Sequence, residues 1–238
     1  MVLRSIVLTL LLAGAARAQV APVTSTERLL AERSRYPAAW WAPLAEAERH
    51  SWEIPPQDAG PGEVILSKRN ELGILSNFAP TPFELDGRRF ASLEGFWQAM
   101  KYPEGPDDPR AAKVDLEGKP VTWPRTRADV EGLTAFQAHG AGVEAEAILR
   151  RLGIDWVSYR GERLAFKTAP ADIDRHFALI VEASRAKLRQ NPEVKRVLLS
   201  TGDLVLRADH HEDADGTKAW RYYEIWMTLR AALQAGRE

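Results

Sequence analysis

The hydrophobic positions of the chain follow a helical period over long stretches and a strand period only over short ones. Between Ile173 and Leu188, apolar residues recur every three or four positions, which predicts a long helix over 172–190. The same spacing predicts further helices over 143–152, 192–200 and 220–235, and Asn191 is the expected cap of the helix that begins at Pro192. The pattern therefore predicts an α+β domain that is mostly helical.

Small β-hairpins are predicted where turn residues separate short apolar runs. Asp86-Gly87 is a dipeptide typical of a type I′ turn, and apolar residues lie on both sides of it. Arg160-Gly161 predicts a second hairpin over 155–167. Single short strands are predicted over 64–67 and 204–206.

The stretch 92–101 combines a helix start with polar and aromatic side chains. Ser92 is a favourable N-cap because its hydroxyl can accept an unpaired backbone N–H of the first turn. Glu94, Gln98 and Lys101 then share one helical face. The apolar residues around this polar stripe are Leu93, Phe96, Trp97 and Met100. Such a face suits a ring-bearing, hydrogen-bonding ligand, and it is also typical of an ordinary amphipathic helix.

The N-terminal segment has the three parts of a secretory signal peptide. Arg4 supplies a positive charge, residues 6–13 form an apolar run, and Ala16-Arg17-Ala18 provides a small-residue cleavage site. The apolar run is shorter than the roughly 20 residues that span a bilayer, and an uncleaved anchor is the alternative. We expect cleavage after residue 18 and an exported protein, periplasmic or secreted, without membrane attachment.

The sequence divides into three segments. A signal peptide over 1–18 precedes an N-terminal helical arm with a Pro/Gly-rich linker over 19–62, and the main domain occupies 63–238. Trp40 and Trp41 are expected to dock the arm onto the main domain.

Composition excludes several classes of chemistry. The chain has no cysteine, which rules out cysteine nucleophiles, thiolate zinc sites and iron–sulfur clusters. Without the two arginines of the signal peptide, 30 basic residues face 33 acidic ones, for a net charge of about −3. The basic footprint of non-specific nucleic-acid binding is therefore absent overall.

No common catalytic or nucleotide-binding motif is present, and the histidines do not show metal-ligand spacing. His210-His211 lie in an acidic loop over 208–217. An EF-hand alignment with Gly216 at the glycine position places Tyr222 where a carboxylate is required. A solvated loop is favoured over a metal site, and we predict no metal and no cofactor.

Three stretches, taken in order, resemble the signature of the NADAR family. They are Leu75-Ser76-Asn77-Phe78, the hairpin Phe83-x-Leu85-Asp86-Gly87, and the helix Ser92-Leu93-Glu94-Gly95-Phe96-Trp97-Gln98-Ala99-Met100-Lys101-Tyr102. The C-terminal stretches 186–192, 198–202 and 220–230 follow the family's order of elements. The resemblance covers roughly residues 63–232 and does not include the arm.

The resemblance implies an N-glycosidase, a hydrolase that cleaves the bond between a nitrogenous group and C1 of a phosphorylated or ADP-linked ribose. The expected substrates are riboflavin-pathway intermediates or ADP-ribosylated guanine. Glu94 matches the family's catalytic glutamate. A carboxylate in a first helical turn is favoured in its ionised form, so Glu94 is expected to act as base and oxocarbenium stabiliser.

Further residues are candidate substrate contacts. They are Ser76, Asn77, Phe78, Trp97, Gln98, Lys101, Asp209 and Trp220. Trp97 is equally well explained as a core residue. Lys101 is expected either to bind phosphate or to hold Gln98 and Glu94, and as an exposed salt-bridge partner it would do neither.

The chain departs from the family pattern at two places. Gly95-Phe96 replaces a His-aromatic pair, and a glycine there weakens the helix start by roughly 0.5–1 kcal/mol. The late Trp-Gly-Asp motif is replaced by Trp220-Arg221-Tyr222, so a missing acid would have to come from Asp209, Asp213 or Asp215. Two rival hypotheses remain: a binding module for ADP-ribose-like ligands without catalysis, and an exported NAD-hydrolysing effector.

Overall fold

A computed structural model describes residues 31–211 and 218–237. The predicted signal peptide, the start of the arm and the acids Asp213 and Asp215 lie outside these ranges. Ala31, Glu32 and Arg33 are helical, in agreement with the helix predicted for the arm. Within the described ranges, no helix is long and apolar enough to cross a membrane.

Helices contain far more of the described residues than strands do, and the predicted α+β class is confirmed. The helices are α1 (Leu93–Ala99), α2 (Arg127–Glu131), α3 (Ala135–Leu152), α4 (Pro170–Gln190), α5 (Pro192–Ser200) and α6 (Tyr222–Gln234). The strands are β1 (Glu63–Ile65), β2 (Phe83–Leu85), β3 (Arg88–Phe90), β4 (Val157–Tyr159), β5 (Glu162–Leu164) and β6 (Val205–Arg207).

Both predicted hairpins are present with the expected turn. Asp86 and Gly87 have φ values of 53° and 72°, and Arg160 and Gly161 have 55° and 75°. Two consecutive positive φ values define the type I′ turn. The strands at 64 and 204 were predicted singly, whereas β1 and β6 pair in parallel, so the two ends of the main domain are held together.

The arm packs into the main hydrophobic core. Trp40 is fully buried and Trp41 nearly so, and both belong to the same apolar cluster as α1, α4 and α6. The indole of Trp40 donates to Glu71, and that of Trp41 donates to the backbone of Glu63. The predicted docking role of the two tryptophans is confirmed.

Two local predictions need correction. Helix α3 begins at Ala135 rather than near Val143, because its first turns pack small residues closely against α1 and carry little apolar periodicity. Asn191 precedes α5 but does not cap it with its side chain. Its amide instead donates to the carbonyls of Pro82 and Lys187.

Candidate functional site

A cavity of about 580 Å³ lies between α1, α3, the segment 76–78 and residues before position 212 and after position 217. It is lined by Trp52, Lys68, Ser76, Asn77, Phe78, Glu94, Trp97, Gln98, Lys101, Phe136, His139, Val143, Glu146, Phe166, Lys167, His210, His211, Trp220 and Tyr222. Its size suits a nucleotide-sized small molecule.

The start of α1 fixes the position of Glu94. The Ser92 hydroxyl accepts the backbone N–H of Gly95, which confirms the predicted N-cap. The backbone N–H of Glu94 donates to the carbonyl of Asn77 at 3.0 Å. The segment 76–78 and the first turn of α1 are therefore joined at the residue predicted to be catalytic.

Gly95 allows α2 to approach α1 closely. A Cβ at this position would lie 2.6 Å from the carbonyl oxygen of Leu133 and 3.0 Å from that of Val130. Glycine therefore serves close packing here, because the lack of a side chain lets the backbone after α2 lie against the first turn of α1.

The Glu94 carboxylate lies at the cavity wall between an amide and an imidazole. Its Oε1 accepts the Nε2 of Gln98 at 2.8 Å and lies 3.7 Å from Nδ1 of His139. This second separation is an ion-pair contact, longer than a regular hydrogen bond. No residue in the described ranges donates to Oε2, which leaves that oxygen available to water or substrate.

His139 is a site residue that the sequence did not reveal. Its contact with the Glu94 carboxylate raises the pKa of the imidazole above its ordinary value, against the opposing effects of burial and of Lys101. It lies four positions before Val143, in the part of α3 for which no helix was predicted. The stretch from Ala138 to Gly142, which contains it, has no recognisable motif.

Gln98 packs directly against the backbone of α3, because Gly142 has no side chain there. A Cβ at Gly142 would lie 1.8 Å from Oε1 of Gln98, and this buried oxygen has no hydrogen-bond partner among the described residues. A Cβ at the neighbouring Gly140 would have no atom within 4 Å. Close passage of α3 at Gly142 thus sets the position of the amide that orients Glu94.

Replacing Gly142 by alanine is expected to move Gln98 away from Glu94. In the hydrolysis that the sequence predicts for Glu94, kcat should fall about tenfold, because the Gln98–Glu94 hydrogen bond is worth roughly 1–2 kcal/mol. Gly140→Ala is the matched control and should retain wild-type kcat. The double variant Gly142→Ala/Gln98→Ala should be no less active than Gln98→Ala alone, because both substitutions act through the Gln98–Glu94 contact. Wild-type kcat in Gly142→Ala would contradict this arrangement.

Lys101 is buried, so it is not the exposed salt-bridge partner considered above. Its Nζ donates to Glu146 at 2.6 Å, and Glu146 also lines the cavity. Burial lowers the pKa of Lys101, while Glu146 and Glu94 act in the opposite direction. Burial acts to raise the pKa of Glu146, but Lys101 and Lys167 contribute to holding it below its ordinary value.

The segment 76–78 is supported from beneath by a buried lysine. Lys187 of α4 is fully buried and donates to the carbonyl of Ser76 at 2.9 Å. Burial lowers the pKa of Lys187 to about 7. The Ser76 hydroxyl accepts the backbone N–H of Phe78, while the Asn77 side chain lies at the cavity with no hydrogen bond to the described residues.

Glu94 and seven of the eight predicted substrate contacts line the cavity. Ser76, Asn77, Phe78, Glu94, Trp97, Gln98, Lys101 and Trp220 line the cavity, whereas Asp209 does not. Asp209 is fully buried, and its carboxylate contacts Nζ of Lys68 at 2.5 Å and Nδ1 of His210 at 3.1 Å. It therefore reaches the cavity only through those two side chains.

Trp97 belongs to the core and to the cavity wall at once. Its side chain is nearly buried, and its ring meets that of His176 edge-on at 4.9 Å. Other lining residues escaped prediction because distant segments supply them, notably Trp52 from the arm and Lys68 after β1. Their sequence surroundings carry no motif.

No known protein family and no curated protein matches the sequence. Among solved structures, the chain is similar to the NMR structure of the Escherichia coli protein YbiA, at 19% identity and a TM-score of 0.43. The similarity covers 72% of this chain and 83% of YbiA. At this level the likeness identifies neither a family nor an activity for the chain.

Proposed function

We propose that the chain is an N-glycosidase of the NADAR type, which hydrolyses the bond between a nitrogenous group and C1 of ribose in an ADP-ribosyl or ribosyl-phosphate substrate. The observation that carries the proposal is the Glu94 carboxylate at the cavity wall, with Gln98 and His139 on one oxygen and the other oxygen free of protein donors among the described residues.

Glu94 has the two abilities that cleavage of an N-ribosyl bond requires. As the bond to nitrogen lengthens, positive charge develops at C1 of the sugar, and a nearby carboxylate stabilises it. Water then adds to C1, and Oε2 of Glu94 is available to take its proton. Gln98 holds the carboxylate in one orientation through both steps.

Cationic side chains support a phosphate-bearing substrate. Lys167 lines the cavity and forms no ion pair with any residue in the described ranges. Lys68 also lines it, although its charge is shared with Asp209. A ribosyl phosphate or a diphosphate would therefore find a cation at the wall without first breaking an ion pair of Lys167, whose ammonium lies 5.6 Å from the centre of the Phe166 ring.

The proposal is tested by incubating the purified protein with ADP-ribosylated guanosine, NAD and a ribosylamine phosphate, and by identifying products with mass spectrometry. Release of the free nitrogenous group together with the ribosyl product is the expected result. Tight binding of ADP-ribose without product from any substrate would instead support the binding module, and cleavage of NAD alone would support the effector. Absence of product from every substrate would overturn the proposal, whereas cleavage of NAD alone would keep the N-glycosidase and identify its substrate as that of the effector hypothesis.

A further inference from the structure

The arm contributes an aromatic wall to the cavity. Trp52 meets Phe136 edge-on at 6.4 Å, and Phe136 meets Phe78 edge-on at 5.2 Å. Trp52 and Phe136 remain 38% and 64% exposed, although large apolar side chains are normally covered. His50 stacks on the Trp52 ring at 5.5 Å, so the stacking area offered to a planar group is the exposed part of Trp52 together with Phe136.

A cation lies against this wall. Nζ of Lys68 is 5.3 Å from the ring centroid of Trp52 and 5.3 Å from that of Phe78. The buried Asp209 holds the ammonium in place at 2.5 Å. Although Asp209 offsets part of this charge, the Lys68 ammonium still favours a neutral ring at this wall over a cationic one such as a pyridinium.

A proton donor stands at the inner end of the same wall. Phe136 and His139 are three residues apart on α3 and therefore share one face. The His139 ring lies 6.2 Å from that of Phe78, with Nδ1 toward Glu94. Its Nε2 has no hydrogen bond to any residue in the described part of the chain, so it can serve a bound molecule.

We propose that Trp52, Phe136 and His139 form the leaving-group subsite, which binds a neutral aromatic base and protonates it as the glycosidic bond breaks. This inference rests on the proposed function and narrows its substrate class. It also gives the arm a role in the reaction, because Trp52 lies outside the segment that resembles the NADAR family.

The step balances within the site. The electron pair of the C1–N bond goes to the base nitrogen, which takes a proton from His139. Water forms the new C1–O bond and gives its proton to Glu94. Glu94 then releases that proton to solvent, and Nε2 of His139 takes a proton from solvent, which restores the starting state. Ribosyl substrate and water are consumed, and free base and ribose product are released.

Protonation matters only for a neutral leaving group. A neutral base would depart as an anion without a proton, whereas nicotinamide leaves a pyridinium riboside as a neutral molecule and needs none. Loss of a general acid typically costs 10²–10⁴-fold in rate. The His139 variant should therefore separate the two substrate classes.

The experiment compares His139→Asn with wild type on two substrates that share the ribosyl part, one with a neutral purine and one with nicotinamide. We expect a fall in kcat of about 10²-fold or more on the purine substrate and less than about fivefold on the nicotinamide substrate. Gln137→Ala, an exposed neighbour outside the cavity, is the matched control. Trp52→Ala should raise KM for the purine substrate about tenfold, because stacking on an aromatic ring is worth roughly 1–3 kcal/mol per base.

The pH profile provides an independent readout. The charged groups that face His139 are Glu94 and Lys101 of α1 and Glu146 of α3. Cleavage of the purine substrate should fall as pH rises through the pKa of His139, which lies above its ordinary value, and the Asn variant should lose this alkaline limb. An NMR titration of the imidazole should show a lower pKa in Glu94→Gln.

The outcomes distinguish this inference from the proposed function. Equal losses on both substrates, or no loss in His139→Asn, would overturn the subsite while leaving the hydrolase intact. Cleavage of the nicotinamide substrate alone by wild type would overturn the neutral-base assignment. No cleavage of any N-ribosyl substrate by wild type would overturn the proposed function, and the subsite with it.

Discussion

Glu94→Gln is expected to lower kcat for an N-ribosyl substrate by about 10³-fold, while KM changes only a fewfold. Glutamine has nearly the same shape and can still accept the Gln98 amide, so the wall of the cavity should persist. The variant loses the negative charge that stabilises the developing cation and the base that takes the proton of water. Each of these functions typically contributes about 10²–10³-fold or more.

The control for this variant is Glu144→Gln. Glu144 is an exposed acid of α3 that pairs with Arg125 at 3.2 Å and does not line the cavity. Steady-state kinetics should show wild-type kcat for it. Because the expected loss in Glu94→Gln appears in kcat rather than in KM, it would report an interaction made in the transition state. A kcat within about threefold of wild type would remove Glu94 from the chemistry.

Gly95→Ala is expected to lower the free energy of unfolding by about 2–3 kcal/mol, although alanine is the better helix former by roughly 1 kcal/mol. Its Cβ would lie 2.6 Å from the carbonyl oxygen of Leu133, which is backbone and cannot rotate away. The chain after α2 would have to move, and the first turn of α1 with Glu94 would move with it. Urea denaturation followed by circular dichroism measures the change.

Gly140→Ala is the matched control for this substitution. It lies within α3, where an added Cβ meets no atom within 4 Å, so the same change of residue should raise the free energy of unfolding by roughly 0.5–1 kcal/mol. The two substitutions are thus expected to have opposite signs. Equal stabilisation by both would show that α1 and the backbone after α2 are not in close contact.

The local sequence was sufficient to predict the elements that depend only on neighbouring residues. The type I′ turns at Asp86-Gly87 and Arg160-Gly161 were predictable because two adjacent positive φ values favour such residues. The cap at Ser92 and the period of α4 were predictable for the same reason, since capping and amphipathicity depend on neighbours within a few positions. The α+β class follows from these elements.

The polar stripe of α1 shows which parts of the site could be predicted from the sequence and which could not. Its spacing placed Glu94, Gln98 and Lys101 on one face, and all three line the cavity. Spacing could not show that Lys101 pairs with Glu146, which lies 45 positions away and belongs to a helix predicted to start only at Val143. Asp209 was predicted as a substrate contact because of its charge. The structure shows instead that it is buried and contacts two lining residues, Lys68 and His210.

The sequence by itself determined both hairpins, the long periodic helices, the cap that starts α1, and the glutamate that heads its polar face, because these depend on residues close in the chain. The tertiary structure alone decided what surrounds that glutamate. His139 reaches Glu94 because Gly142 and Gly95 let three helices approach, and Trp52 reaches the cavity because the arm packs into the core. Contacts between distant segments depend on shape and on the absence of side chains, which no local pattern records.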